Sequence, residues 1–232
     1  MKILKICLIV VLPLFIYSCE KETEGLSKVT TPCNIELLGG KTVLVEVGTQ
    51  YVEYGCKAFE GETDVTSKVD ISGTLDTDML GLYTKRYKVV NSDGAITIAK
   101  RLVVVFDPAS ASGFYRASKD SYRISSAGTG KSSANFPGNH VILIYQEKSG
   151  AYNISDLFGG WYEVRDSDPS MACSGTIKIN KDGSVSLLSS RISRFGTKFT
   201  AVEGKYDAVN KTFDIVVDWE SGYLFYLILI GL

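Results

Sequence analysis

Gly175-Thr-Ile-Lys-Ile-Asn-Lys-Asp-Gly-Ser-Val-Ser-Leu-Leu-Ser189 holds two short alternating runs joined by Asn180-Lys-Asp-Gly183. Period-two alternation puts every second side chain on one face of a strand, and Asn, Asp and Gly tolerate turn geometry. The stretch therefore predicts an antiparallel hairpin. Working outward, the runs 114–124, 140–147, 160–165, 199–206, 212–219 and 223–230 read as further strands, giving eight candidates in all. Asp207-Ala-Val-Asn-Lys211 is a second hairpin-sized connection. Eight strands with such connections predict an antiparallel meander over residues 113–232 that closes into a small barrel or curls into a sandwich. Upstream, short apolar or alternating runs at 35–37, 43–47, 51–59, 83–90, 95–99 and 101–106 predict a β-sandwich over 33–107. Asp107-Pro-Ala-Ser-Ala-Ser112 has the composition of an exposed boundary, so 108–112 is expected as the linker. No stretch has a convincing 3.6-residue apolar period, and the fold class expected is all-β.

Ahead of these strands, Lys2 and Lys5 precede an uncharged apolar run over 6–16, followed by Tyr17-Ser18-Cys19. A basic start, an apolar run and a small residue make a signal peptide over 1–18, and the run is too short to span a bilayer. Ser18-Cys19 resembles the lipobox of bacterial lipoproteins, which implies acylation of Cys19 and attachment to outer-membrane lipid. Glu20-Lys21-Glu22-Thr23-Glu24 resembles the acidic tether of Bacteroidetes surface lipoproteins, so 19–32 is expected as a lipidated, surface-exposed tether. The chain has 25 basic and 26 acidic side chains, and the leader removes two lysines and no acid. No basic patch stands out, and nucleic acid is not an expected partner.

Within 33–106, Val47-Gly48-Thr49, Tyr51-x-Glu53-x-Gly55-x-x-Ala58, Asp64-Val65-Thr66, Gly81-x-Tyr83-x-x-x-Tyr87, Asp93-Gly94 and Val103-Val104-Val105 resemble the bacterial Ig-like domain of a pesticidal crystal protein and many surface proteins. The resemblance implies an Ig-like β-sandwich acting as spacer or adhesive module, with no catalytic residues to carry over. Tyr152-Asn-Ile-Ser-Asp-Leu-Phe-Gly-Gly-Trp161-Tyr162, with Gly113-x-Tyr115 upstream, resembles the C-terminal β domain of Bacteroidetes lipoproteins encoded beside glycan-uptake complexes. That resemblance implies a neighbourhood rather than a mechanism.

Three apparent motifs carry less than they promise. Gly128-Thr-Gly-Lys-Ser-Ser133 imitates a P-loop, but Ser125 stands where the earlier glycine is required and no helix pattern follows. Asn91-Ser-Asp-Gly94 and Asn180-Lys-Asp-Gly183 have oxygens spaced as if for calcium, yet each lies between strands and reads as a turn. His140 is the lone histidine, leaving little material for zinc or triad chemistry, and it reads as a strand-edge structural residue. Neither cofactor nor metal is expected. Asp156, Glu163, Asp166 and Asp168 cluster around Trp161, which keeps a glycoside hydrolase as a minor reading.

The favoured reading is a non-catalytic surface accessory of a polysaccharide-uptake system that binds glycan through Tyr152, Asp156, Trp161, Tyr162, Trp219 and Tyr223. Aromatic faces cover sugar rings at low entropic cost, and the acids accept from hydroxyls. The bland alternative is that these aromatics fill the core. A lipocalin-like carrier, requiring a hollow barrel, and a docking module on an outer-membrane transporter remain as rivals. Export permits oxidation, so a Cys33–Cys56 disulfide is expected, with Cys173 free.

Overall fold

The computed structural model describes residues 30–136, 138–191 and 196–232; the leader, Cys19 and the tether up to residue 29 lie outside them. Among the described residues 50% are in strands and 6% in helix, as the alternation predicts.

The N-terminal strands are β1 (Cys33–Leu37), β2 (Thr42–Glu46), β3 (Cys56–Glu60), β4 (Thr63–Asp64), β5 (Asp70–Ser72), β6 (Gly81–Val90) and β7 (Ile96–Phe106). They form two sheets, ordered β1-β3-β4 and β2-β7-β6-β5. β1 pairs antiparallel with β3, and the chain then crosses so that β2 runs parallel to β7. Cys33, Ala58, Val65 and Val89 form a small apolar cluster between the sheets.

Much of this sandwich is organised by a charge. The alternation of β7 puts Arg101 on the inward face with Val103 and Val105, and it is fully buried. A buried cation is tolerable only if paired and hydrogen-bonded. Arg101 donates to the carbonyls of Leu38, Gly40 (3.2 Å) and Gly55 (3.0 Å) and pairs with Glu53. Glu53 also accepts from Tyr87 Oη, Tyr51 Oη (3.1 Å) and Gly55 N (2.9 Å). The Arg101 guanidinium lies 5.6 Å and 5.2 Å from the ring centroids of Tyr54 and Tyr87. The spaced residues Tyr51, Glu53, Gly55 and Tyr87 thus converge on one guanidinium. Burial raises the Glu53 carboxyl, but hydrogen bonds from Tyr87, Gly55 and Tyr51 and the Arg101 charge outweigh it and hold the group below its ordinary value.

The expected Cys33–Cys56 disulfide is not formed: both are buried free thiols. In the β1–β3 register Cys33 faces Glu60 while Cys56 faces Leu37. Four register steps separate the two by ~13 Å, well beyond the ~7 Å that a bridge spans.

The second part comprises β8 (Gly113–Ala117), β9 (Tyr122–Ser125), β10 (Ile142–Gln146), β11 (Tyr152–Ile154), a short helix α1 (Trp161–Asp166), β12 (Ser174–Ile179), β13 (Ser184–Arg191), β14 (Phe199–Asp207), β15 (Thr212–Trp219) and β16 (Tyr223–Gly231). From β10 onward each strand pairs antiparallel with the next, and β16 closes the ring onto both β15 and β8, giving an eight-strand barrel. β16 also pairs β9 through Tyr223–Tyr226. The expected strand over 114–124 is therefore two strands on one edge, broken at Ser118–Ser121, where Ser121 N donates to Ser118 O (3.0 Å).

Two further expectations change. Residues 160–165 are not a strand: Gly159 and Gly160 take positive φ (65° and 86°) and turn the chain into α1, while β11 supplies the missing barrel strand. The linker is not uniformly exposed, since Ser110, Ala111 and Ser112 are buried. Ser112 Oγ accepts from Gln146 N (3.0 Å), and Ala111 O accepts from Tyr115 Oη (2.8 Å), which fastens the segment to the barrel. Asn91–Gly94 and Asn180–Gly183 are turns, with φ of 86° and 81° at their glycines.

Candidate functional site

The barrel is filled. Ile142, Ile144, Ile154, Ile177, Phe213, Ile215, Phe225 and Leu227 point inward and are buried, and the end distant from the sandwich is plugged by residues 155–173. Phe158 sits at the centre of this plug, its ring 4.8–5.0 Å from those of Tyr162, Phe199, Trp219 and Phe225. The hollow interior required by a lipocalin-like carrier is absent from the described barrel, and that rival is set aside.

Asp156 fixes the plug. It is 1% exposed and accepts from the backbone N–H groups of Phe158 (3.0 Å), Gly160 (2.7 Å) and Cys173 (3.0 Å). Its carboxylate thus stands in for the hydrogen bonds of three otherwise orphaned buried donors. Burial pushes the Asp156 carboxyl above its ordinary value, against the lowering by Cys173 N–H, the His140 charge and the other two donors. His140 lies between two acids, with Nδ1 2.6 Å from Glu163 Oε2 on α1 and Nε2 3.4 Å from Asp156 Oδ2. Nδ1 is thus tied to Glu163, whereas Nε2 is buried beside Asp156 without making a hydrogen bond. A Cβ at Gly160 would come within 2.8 Å of the His140 Cβ, which accounts for a glycine there. Burial also pushes the Cys173 thiol up to about 12, far from the thiolate a nucleophile needs.

The predicted ligand-binding residues separate. Trp161, Tyr162 and Trp219 are 3–5% exposed and belong to the plug and core, as does Asp156. Tyr152 is buried at the opposite end of the barrel, near Ser110, Ala111 and Tyr206. Tyr223 is half-buried at the plugged end. There Arg123 is sandwiched 4.6 Å from the Trp161 ring and 4.3 Å from the Tyr223 ring, and donates to Tyr162 Oη (3.2 Å). These side chains form a packed stack rather than an open platform. Asp166 pairs with Arg165 (2.6 Å) and Asp168 accepts from Ser170 N (2.9 Å). The P-loop-like segment makes a loop in which Ser125 N donates to Thr129 O (2.9 Å) and Arg123 N to Ser132 O (2.8 Å). Among the described residues no group of three or more His, Cys, Asp or Glu is placed to hold a metal ion.

An open concavity lies elsewhere, in residues that the sequence does not propose for ligand binding. A cleft of about 420 Å³ between the start of β6 and the end of β10 is lined by Leu82, Tyr83, Tyr145, Glu147, Lys148 and Ser149, among others. Tyr83 Oη donates to Met79 O (2.9 Å), fixing that ring. Burial, then the neighbouring Glu147 charge, raise the Tyr145 phenol, which stays a neutral donor and acceptor. Glu147 accepts from Asn153 Nδ2 and from Ser149 Oγ (3.4 Å). In sequence the two halves of this cleft are some sixty residues apart, so no local motif could announce it.

A family model for the Ig-like domain of bacterial surface proteins matches residues 35–105, and one described as a C-terminal domain matches residues 107–230. The crystal structure of the lipoprotein BT2262 from Bacteroides thetaiotaomicron is similar, at 26% identity over 86% of this chain and 100% of that chain, with a TM-score of 0.73. The structure of the CBM51-2 domain in complex with GlcNAc and the INT domains of Clostridium perfringens ZmpB matches at 14% identity over 85% of this chain and 44% of that chain. Its TM-score of 0.29 is too low to carry an argument. No curated protein matches the sequence. The Ig-like sandwich, the β-barrel and the likeness to a Bacteroides lipoprotein agree with the resemblances carried by the sequence motifs.

Proposed function

The chain belongs to the family whose C-terminal domain model spans residues 107–230, and on that premise we propose that it is a non-catalytic lipoprotein of the outer membrane, anchored through Cys19 and serving as an accessory of a polysaccharide-uptake system. It binds glycan in the cleft between sandwich and barrel. The likeness to a Bacteroides lipoprotein along that protein's whole length supports the anchored, surface-exposed part of this reading. The engagement of His140 and Asp156 within the plug supports the non-catalytic part.

The observation that carries the glycan reading is the pairing of Tyr83 and Tyr145 across an open cleft with the carboxylate of Glu147, the ammonium of Lys148 and the hydroxyl of Ser149. Clefts between packed units, with aromatic walls and a few polar groups, are where small ligands bind. Ring faces suit the apolar faces of sugars, and the polar groups suit their hydroxyls. A glycan array probed with residues 20–232, which include every described residue, should give a hit that Tyr145→Ala weakens at least ~10-fold with no change in melting temperature. Absence of any hit sinks the glycan reading. Cys19→Ala should move the protein from the membrane to the soluble fraction, because stable anchoring needs more than one acyl chain and, among the described residues, no helix is long and apolar enough to cross a membrane.

A further inference from the structure

The outer face of the β2-β7-β6-β5 sheet is left partly open at the end distant from the barrel. Even-numbered residues of β6 and β7 point outward there, and the register sets Arg86 opposite Lys100, Lys88 opposite Ile98 and Val90 opposite Ile96. On its other side Arg86 faces Ser72, and Lys88 faces Asp70, the acid that the sheet register brings to this row. Like charges placed directly across an antiparallel pair destabilise it. Among the described residues no ion pair neutralises Arg86 or Lys100. Alongside the cations, Ile96, Val90 and Ile98 are 57%, 42% and 39% exposed. Cations interleaved with exposed aliphatic side chains fit a lipid surface, whose headgroups take the charge and whose acyl boundary takes the apolar groups.

The position of the N-terminal segment points the same way. Asn91, in the turn between β6 and β7, donates through Nδ2 to Thr31 O (2.8 Å), and Thr97 Oγ1 donates to Cys33 O (3.1 Å). The chain therefore enters the sandwich beside Val90 and Ile96. Eleven residues lie between Cys19 and Thr31, a contour length of about 40 Å at most. A lipid on Cys19 would therefore tether the chain at this end of the sandwich, within about 40 Å of the bilayer.

We propose that this face, with Val90 and Ile96 leading and Arg86, Lys88 and Lys100 behind them, is a membrane-contact surface for anionic lipid headgroups. It rests on the reading of a lipid-anchored chain and adds a second, electrostatic attachment that orients the molecule with the barrel outward. Each surface cation is worth roughly fivefold in partitioning onto an anionic bilayer, so three together give roughly 100-fold.

Residues 20–232, carrying no lipid, are to be cosedimented with vesicles of phosphatidylcholine alone and of phosphatidylcholine with phosphatidylglycerol, at low and high salt. The expected result is salt-sensitive binding to the anionic vesicles. The combined Arg86→Gln, Lys88→Gln and Lys100→Gln variant should lose roughly 100-fold of it. The Val90→Ser and Ile96→Ser pair should weaken binding with its salt dependence unchanged. Equal binding to uncharged vesicles, unchanged binding of the triple variant, or no sedimentation overturns the proposal. Retention of polygalacturonate by the same three cations without vesicle binding also overturns it, and assigns the face to a polyanion. Tyr83 and Tyr145 are untouched by these changes, so the glycan array stands or falls separately.

Discussion

In the sandwich the side chain at the centre is a guanidinium, held by three backbone carbonyls and Glu53, and the apolar cluster beside it contains small residues such as Ala58, Val65 and Val89. In the barrel the centre is Phe158, packed against the rings of Tyr162, Phe199, Trp219 and Phe225, and the fully buried Asp156 accepts from backbone N–H groups. A sheet pair with little apolar area to bury gains its specificity from directional bonds, whereas a closed ring of strands encloses enough volume for large rings. The two parts should therefore fail in different ways. Both tryptophans, Trp161 and Trp219, lie in the barrel, so their fluorescence follows it alone, while far-ultraviolet dichroism follows both.

The largest effect is expected from Arg101→Ala, which strands Glu53, unpairs the carbonyls of Leu38 and Gly40 and leaves Gly55 O with only the Leu38 N–H, at a cost of ~5 kcal/mol. In urea, dichroism should show an early transition that fluorescence does not. Coincident transitions by both probes would show that sandwich and barrel unfold as one unit. Trp161→Ala should do the reverse, costing the barrel ~4 kcal/mol by opening a cavity under Phe136 and Phe225 and removing the ring beneath Arg123. Here the fluorescence of the remaining Trp219 should report the loss, and an unmoved midpoint would show that the plug is dispensable.

A smaller effect concerns acid. The folded value of Glu53 lies below the unfolded one, so its contribution is present above the unfolded carboxylate value near ~4 and is lost as pH falls through the folded value. Asp156 has the opposite sign, because its folded value is raised. Acidification should thus weaken the sandwich before the barrel, and Glu53→Gln should flatten that dependence when midpoints are measured from pH 3 to 6. The smallest effect is that of reductant. With Cys33 and Cys56 unbridged, dithiothreitol should shift the sandwich midpoint by less than ~0.5 kcal/mol, against the ~3 kcal/mol that a bridge would give.

The alternation around Asn180–Gly183 was enough to read a hairpin and, with its neighbours, an antiparallel meander, because in a two-faced sheet the period of two is imposed by burial itself; that period does not decide whether the meander closes into a barrel. It misled at 160–165. Trp161-Tyr-Glu-Val favours a strand, but Gly159 and Gly160 in the left-handed region and the grip of Asp156 on Gly160 N–H set the chain into α1 instead. That is a tertiary choice with no local signature. Arg101 did leave a signal, since a charge stands in phase with Val103 and Val105 where an apolar residue belongs. Asp156 and Glu163 stand out as part of one acidic cluster, but nothing in the sequence joins His140 to them, since the plug brings it there from a separate stretch of chain. The aromatic residues chosen for sugar stacking are chemically suited to it, but sequence does not distinguish a ring facing water from one facing Phe158.

The way β16 closes the barrel sets an order of events. Tyr223–Gly231 supplies the ladder partners of β15, β8 and β9 at once, so a chain that has emerged only as far as β15 carries three unsatisfied strand edges and an open apolar trough. The sandwich, complete by Phe106, can fold while the rest is still arriving; the barrel has to wait for its final strand. Until Tyr223–Gly231 is in place the barrel is half-built, and its most aggregation-prone surface is the one exposed for longest.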